Sequence, residues 1–145
     1  MLSLWLAASC SSRAAPSDDS VRIQPTTNPE KASISGVLMT QSENGSEPVP
    51  NAILYLAETI EDETGVEAFA ALDRVNSPKA ITNENGEFNF FDVPPGQYGL
   101  VLDRIVNSYL LLHPGEQEVI LIVAERGEAV DLGTLIYDEL PLSQP

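Results

Sequence analysis

One histidine, one cysteine and a large excess of carboxylates bound the chemistry open to this chain. His113 stands directly before Pro114-Gly115, which places it in a turn. A general base needs a nucleophile or a substrate proton within hydrogen-bond reach, and spacing identifies no such partner for His113. Ser108 precedes it without the Gly-x-Ser-x-Gly turn that strains and exposes a nucleophilic serine. His113 is therefore read as a solvated turn histidine. Paired carboxylates recur at Asp18-Asp19, Glu61-Asp62-Glu63 and Asp138-Glu139. A glycosidase dyad needs two carboxyl groups held at a set separation across a cleft, and chain neighbours in surface loops provide neither. No catalytic residues are assigned, and the chain is not expected to be an enzyme.

Two other constellations bear on ligands. Asn83-Glu84-Asn85-Gly86-Glu87 carries side-chain oxygens at alternate positions around a glycine, as calcium loops do. The leading Asp and the bidentate Glu of a full calcium loop are absent: Ile81 occupies the first position, and Val93 falls near the last. The same residues are explained as a hairpin turn. No cofactor or metal centre is expected, and Asn83, Asn85 and Glu87 are the calcium candidates should one bind. The second constellation is aromatic. Tyr55 and Phe91 point opposite to the core-facing residues of their strands, and Phe69 is grouped with them. Exposed aromatics on a sheet face stack on sugar rings or seat a protein partner. The competing reading covers both sheet faces, with the segment Glu58 to Pro78 lying over Phe91.

The net charge is −15, from 22 acidic and 7 basic residues. Nucleic-acid binding requires clustered Lys and Arg to displace counterions, so that class is excluded. Electrostatic adsorption to anionic lipid is disfavoured for the same reason. The ordinary meaning of such a charge is a solvated surface that resists aggregation.

Met1 to Ser9 is apolar and ends in small residues just before Cys10, as the h-region and cleavage site of a secretory signal do. It is too short to span a bilayer, which takes about 20 apolar residues. Ala7-Ala8-Ser9-Cys10 resembles a bacterial lipobox. That resemblance implies a diacylated Cys10 as the first residue of the mature chain, and membrane attachment through the lipid. A single cysteine has no internal disulfide partner. Residues 10–33 are rich in Ser, Pro, Asp, Thr and Asn and read as a disordered tether.

The folded domain is placed at 34–138, with 139–145 as a tail. Ile34 to Thr40 is a strand by β-branched content. Gln41 to Pro50 is a polar loop, and Asn51 to Ala57 alternates Ala52, Leu54 and Leu56 against Ile53 and Tyr55. Val66 to Val75 fits a strand (Val66, Ala68, Ala70, Leu72) or a helix (Val66, Phe69, Ala70, Asp73), and the all-β surroundings favour the strand. Residues 79–103 form a meander of three strands joined by turns at Asn85-Gly86 and Pro94-Pro95-Gly96. Further strands follow at Tyr109 to Leu112, Val119 to Val123 and Ala129 to Tyr137. Short strands at this spacing predict an all-β, seven- to eight-stranded antiparallel β-sandwich, Ig-like in layout, rather than a βαβ sheet.

These pieces, in this order, resemble the carboxypeptidase regulatory-like (transthyretin-like, prealbumin-like) domain. Ile34-Ser-Gly-Val37 resembles its opening strand, and Pro48-Val-Pro-Asn-Ala-Ile-Leu-Tyr-Leu56 its second. Thr82-Asn-Glu-Asn-Gly-Glu-Phe-Asn-Phe90 is similar to its threonine, acidic, glycine, phenylalanine hairpin. Val93-Pro-Pro-Gly-Gln-Tyr98 is similar to its proline-proline-glycine-x-tyrosine turn, and Val130-Asp-Leu-Gly-Thr-Leu135 to its closing strand. The resemblance implies an accessory, adhesive or stalk-like module without catalytic machinery. A branch of the superfold that hydrolyses a urate-derived ring relies on several histidines and a basic C-terminal motif. With His113 alone and Asp138-Glu-Leu-Pro-Leu-Ser-Gln-Pro145 at the end, that branch is excluded. The expectation is a secreted, lipid-anchored bacterial envelope protein. Its partner would be a protein or glycan of the envelope, met in a structural or binding role, with Tyr55, Phe69 and Phe91 as the candidate contact residues.

Overall fold

The computed structural model describes residues 27–61, 63–65, 67–69 and 72–140. Cys10, the signal-like segment, Asp18-Asp19, Asp62 and residues 141–145 lie outside the described residues, as does most of the expected tether. No helix long and apolar enough to cross a membrane occurs among the described residues.

The described chain is a β-sandwich. Its strands are β1 (Ala32–Ser42), β2 (Gly45–Pro48), β3 (Ile53–Glu61), β4 (Glu67–Phe69), β5 (Lys79–Ile81), β6 (Glu87–Val93), β7 (Gly96–Asp103), β8 (Ser108–Leu110), β9 (Leu121–Ala124) and β10 (Ala129–Tyr137). In the first sheet β1 is central, with β10 along one side and β6 and β2 end to end along the other. In the second, β3 and β7 pair. β5 and β4 share the far side of β3, while β9 and β8 share the far side of β7. The ten described strands exceed the expected seven to eight, and one of them lies where a polar loop was expected. Within Gln41 to Pro50 the chain reverses at a turn and pairs back on the end of β1 as the exposed strand β2, whose polar residues carry no alternation to announce it. The β1–β10 pair is parallel, the one such pair among the described strands. The segment 58–78 contributes the end of β3 and the short strand β4. Of the strand expected over Val66 to Val75, Glu67–Phe69 is strand, whereas residues 72–75 leave the sheet and enter a turn held by the Asp73 carboxylate.

The expected meander of residues 79–103 is corrected. β5 belongs to the second sheet, β6 to the first and β7 to the second again. Each turn therefore carries the chain across the sandwich. A strand with one buried face alternates in the same way whichever sheet it joins, so the residue pattern does not separate the two connections. In the first turn Gly86 takes φ 76, and its N–H donates to the Asn83 carbonyl at 3.0 Å. Its carbonyl accepts from Leu38 N–H of β1 at 2.8 Å, which continues the β1–β6 pairing into the turn. In the second turn the Tyr98 hydroxyl donates to the Pro94 carbonyl at 2.7 Å. Burial, with the nearby Glu58 carboxylate, raises the Tyr98 pKa and keeps that donor protonated.

The core lies between the sheets, built from Ile34, Leu38, Phe88 and Phe90 on one side and Leu54, Leu56, Leu100, Leu102, Ile120 and Ile122 on the other. Phe88 and Phe90 meet edge to face at 6.0 Å, and Phe88 lies over Gly36, where an added Cβ would come within 2.7 Å of its ring. Alternation in β6 slips at a bulge: Asp92 takes φ 51, so Phe91 and Asp92 both turn outward before Val93 returns to the core. The packed core extends beyond the expected 34–138 at both ends, since Ala32 and Leu140 are buried in it.

A second, smaller apolar cluster covers the outer face of the second sheet. Tyr55, Ala57 and Val101 are buried there under Phe69 and Leu72 of the 58–78 segment, beside Ile53 and Leu110. Gly99 makes this possible, because any side chain on it would enter the volume filled by Phe69 and Leu110.

Candidate functional site

β7 ends on the outer face with Asp103, a carboxylate at 6% exposure. Burying it requires partners. Arg74, from the covering segment, supplies a fork: Nε donates to Oδ2 at 2.9 Å and Nη2 to Oδ1 at 2.8 Å. Ser108 Oγ donates to the same Oδ1 at 2.8 Å, and Arg74 Nη2 also reaches the Ile105 carbonyl at 3.4 Å. The Arg74 fork is the main reason the Asp103 pKa falls to about 2; burial opposes it, and Ser108 and the Ile105 N–H add to it. This latch fastens the 58–78 segment to the end of the second sheet.

The same end of the sandwich holds a cleft of about 320 Å³ lined by Val49, Pro50, Asn51, Ala52, Ile53, Leu102, Asp103, Arg104 and Ile105. One wall is the β2–β3 linker, and Thr82 holds it in place. Thr82 Oγ1 donates to the Val49 carbonyl at 2.6 Å and accepts from Ala52 N–H at 2.8 Å, while its backbone joins Asn51 and Ala52. The other wall is the β7–β8 loop. Ile105 there sits at φ 64, a conformation that a β-branched residue adopts only under constraint. The Arg104 Nε is buried and makes no hydrogen bond among the described residues. Leaving such a donor out of water without a partner costs about 1–3 kcal/mol. Around the cleft mouth Ile105, Val106 and Ile81 are 80%, 86% and 54% exposed.

A second cleft, of about 290 Å³, opens between Leu56, Glu58, Asp73, Asn76, Pro94 and Tyr98. The Asp73 carboxylate is engaged by the Asn76 side chain at 2.6 Å and by the Val75 and Asn76 N–H groups, and these lower its pKa.

The aromatic candidates do not form a shared surface. Tyr55 is buried at 4% exposure beneath the 58–78 segment, with Lys79 Nζ 5.9 Å from its ring centre. Phe69 is half-buried in the same cluster, and Phe91 stands at 54% exposure on the other sheet. The covering segment thus lies over Tyr55, and the expectation that it covers Phe91 is corrected. The calcium candidates bond one another. Asn83 Oδ1 accepts from the N–H groups of Asn85 and Glu87, and Asn83 Nδ2 donates to Glu87 Oε2 at 2.7 Å. Among the described residues no three His, Cys, Asp or Glu side chains gather as a metal site would require. His113 is exposed in its turn, with Glu116 N–H donating to its carbonyl at 2.9 Å, and Ser108 is engaged in the latch. Cys10 lies outside the described residues.

Arg74, Asp103 and Arg104 escaped the sequence reading. Asp103 carried one signal: it continues the outward alternation of Gly99 and Val101, so a charge there falls on a face that another segment covers.

No family model matches the chain, and no curated protein matches it either. Among solved structures the chain is similar to a candidate carbohydrate-binding protein of Pseudomonas aeruginosa, with 16% identity, a TM-score of 0.45, and coverage of 77% of this chain and 91% of that one. It is similar to the minor pilin of Streptococcus agalactiae at 11% identity and a TM-score of 0.43, covering 81% of this chain and 49% of the pilin. A 9R-lipoxygenase of Cyanothece gives 16% identity and a TM-score of 0.37, covering 83% of this chain and 19% of the enzyme. Likenesses at this level do not bear on what the chain does.

Proposed function

We propose that this chain is a non-catalytic bacterial envelope lipoprotein of the carboxypeptidase regulatory-like kind, carried on lipid at Cys10, whose sandwich docks a partner protein through its loop end. The observation that carries the reading is the placement of two ends. The described chain enters the sandwich at Ala32, beside Val93 and next to the β9–β10 turn, where Gly127 N–H donates to the Lys31 carbonyl. The cleft, the latch and the exposed Ile81, Ile105 and Val106 lie at the other end, where β3 begins and β7 finishes. The eight residues of β7 separate the two ends by about 25 Å. A tether attached at the first end leaves the second free to meet a partner. Exposed aliphatics gathered around a cleft favour protein docking over sugar stacking, since of the three candidate aromatics Tyr55 is buried and Phe69 packs half-buried against it.

The test places a photo-crosslinking residue at Val106 or at Glu128, one at each end, in cells of a bacterial host that supplies the native partners. Adducts from Val106 in the membrane fraction, lost when Ile105 is changed to Ser and absent from Glu128, are expected. Equal labelling from both positions, or none from Val106, contradicts the reading.

A further inference from the structure

We propose that the cleft at the loop end receives the C-terminal carboxylate of a partner polypeptide whose last residue is apolar, with Arg104 as the carboxylate-binding residue. The inference rests on the docking reading and gives the docked partner a chemistry.

Among the described basic residues at the loop end, Arg104 is the cation left for an incoming group; Lys31 lies at the opposite end, where its carbonyl accepts from Gly127 N–H. Arg74 is committed to Asp103, Arg126 pairs with Glu30 at 3.1 Å, and Lys79 stands over the Tyr55 ring. The Arg104 side chain makes no hydrogen bond or ion pair among the described residues, and its Nε is buried unpaired. The neighbouring carboxylate does not neutralise it, because Asp103 is already held by Arg74, Ser108 and the Ile105 N–H. The second cleft carries Glu58 and Asp73 and repels an anion, whereas this one is lined by Arg104 and by Asp103, whose charge Arg74 already meets.

The remaining lining selects the body of the ligand. Val49, Ala52, Ile53, Leu102 and Ile105 form apolar walls. A volume of about 320 Å³ is at the small end for ligand sites, enough for a terminal residue and too little for an oligosaccharide. No aromatic ring lines the cleft for a sugar to stack on. A net charge of −15 also disfavours a polyanion such as a polyuronate, while a single carboxylate beside an apolar side chain meets one local cation and little long-range repulsion. Capture of a chain terminus is a known way for proteins to recognise peptides.

The experiment titrates full-length Cys10→Ala protein, followed by amide resonances, with acetyl-Ala-Ala-Val-Leu as the free acid, the same peptide as its C-terminal amide, and digalacturonate. The free acid is expected to give saturable shifts at Asn51, Ile53, Arg104 and Ile105. Both amidation and Arg104→Gln should weaken binding about tenfold or more, with partial recovery in Arg104→Lys. An Arg104→Gln spectrum unchanged away from the cleft shows that the variant is folded. Equal binding of acid and amide, undiminished binding by Arg104→Gln, or no saturable shift overturns the proposal. Digalacturonate binding with the peptide silent also overturns it, in favour of a sugar acid. If the peptide fails while Val106 still crosslinks a partner, the carboxylate site falls and the docking reading stands. If Val106 crosslinks nothing, the docking reading itself has failed.

Discussion

Phe69 lies over Gly99 so closely that a methyl group on Gly99 would meet its ring at 2.5 Å and Leu110 at 2.9 Å. This contact seats the 58–78 segment on the second sheet and buries Tyr55. Gly99→Ala should destabilise the protein by about 1–3 kcal/mol through overpacking. Phe69→Ala, which empties the seat, should remove most of the additional cost when combined with it. Denaturant melts of the two single variants and the double variant measure the coupling. Simple additivity would mean that the two residues do not share this space.

The Asp103 latch makes a pH prediction. Its folded pKa of about 2 lies below the ordinary value of 3.8, so the folded state holds the carboxylate more strongly than the unfolded chain does. That stabilisation is complete above about pH 4 and is lost as pH falls through about 2. With Arg74 half exposed and therefore screened, it amounts to about 1–2 kcal/mol. Asp103→Asn should cost that much at pH 7 and flatten the acid limb of the stability curve. A limb that is equally steep in wild type and variant would show that the latch contributes nothing.

Ile105 holds φ 64 on the rim of the cleft. Ile105→Gly relieves a left-handed β-branched residue and should raise unfolding free energy by about 1 kcal/mol, offset in part by the extra entropy of an unfolded glycine. A fall in the midpoint of chemical unfolding would mean that the exposed side chain packs more than its 80% exposure indicates.

Thr82 joins the β2–β3 linker to the turn after β5 through one hydroxyl that both donates and accepts. Thr82→Val keeps the shape, strands the Ala52 N–H and the Val49 carbonyl, and should cost about 2 kcal/mol. The amides of Asn51 and Ala52 should then exchange with deuterium faster than those of Leu100, deep in β7. Unchanged exchange at both positions would separate Thr82 from the cleft wall.

The sandwich was legible because its signals are local. Phe88 and Phe90 alternate, Gly86 needs a positive φ, and the turn before β7 is spelled by adjacent prolines. Connections were less legible. β5, β6 and β7 are joined by tight turns either in a meander or in crossings between sheets, and only the pairings with β3 and β1 decide. The bulge at Asp92 displaces alternation by one residue, yet Phe91 remains outward as its position in the strand implied. Tyr55 was misplaced for a physical reason: alternation assigns it to the outer face, and whether that face is wet depends on a segment closing over it. The latch and the cleft join Arg74 to Asp103 and Val49 to Ile105, which are far apart in the chain, and no local pattern announces such pairs.

Membrane attachment is the claim on which the envelope reading turns. Its most direct test is the intact mass and membrane fractionation of the native chain and of Cys10→Ala, expressed in a bacterial host. The native chain should lose residues 1–9, gain acyl mass at Cys10 and sediment with membranes, and Cys10→Ala should do none of these. A native chain recovered soluble and at unmodified mass would contradict the anchor and the envelope role built on it.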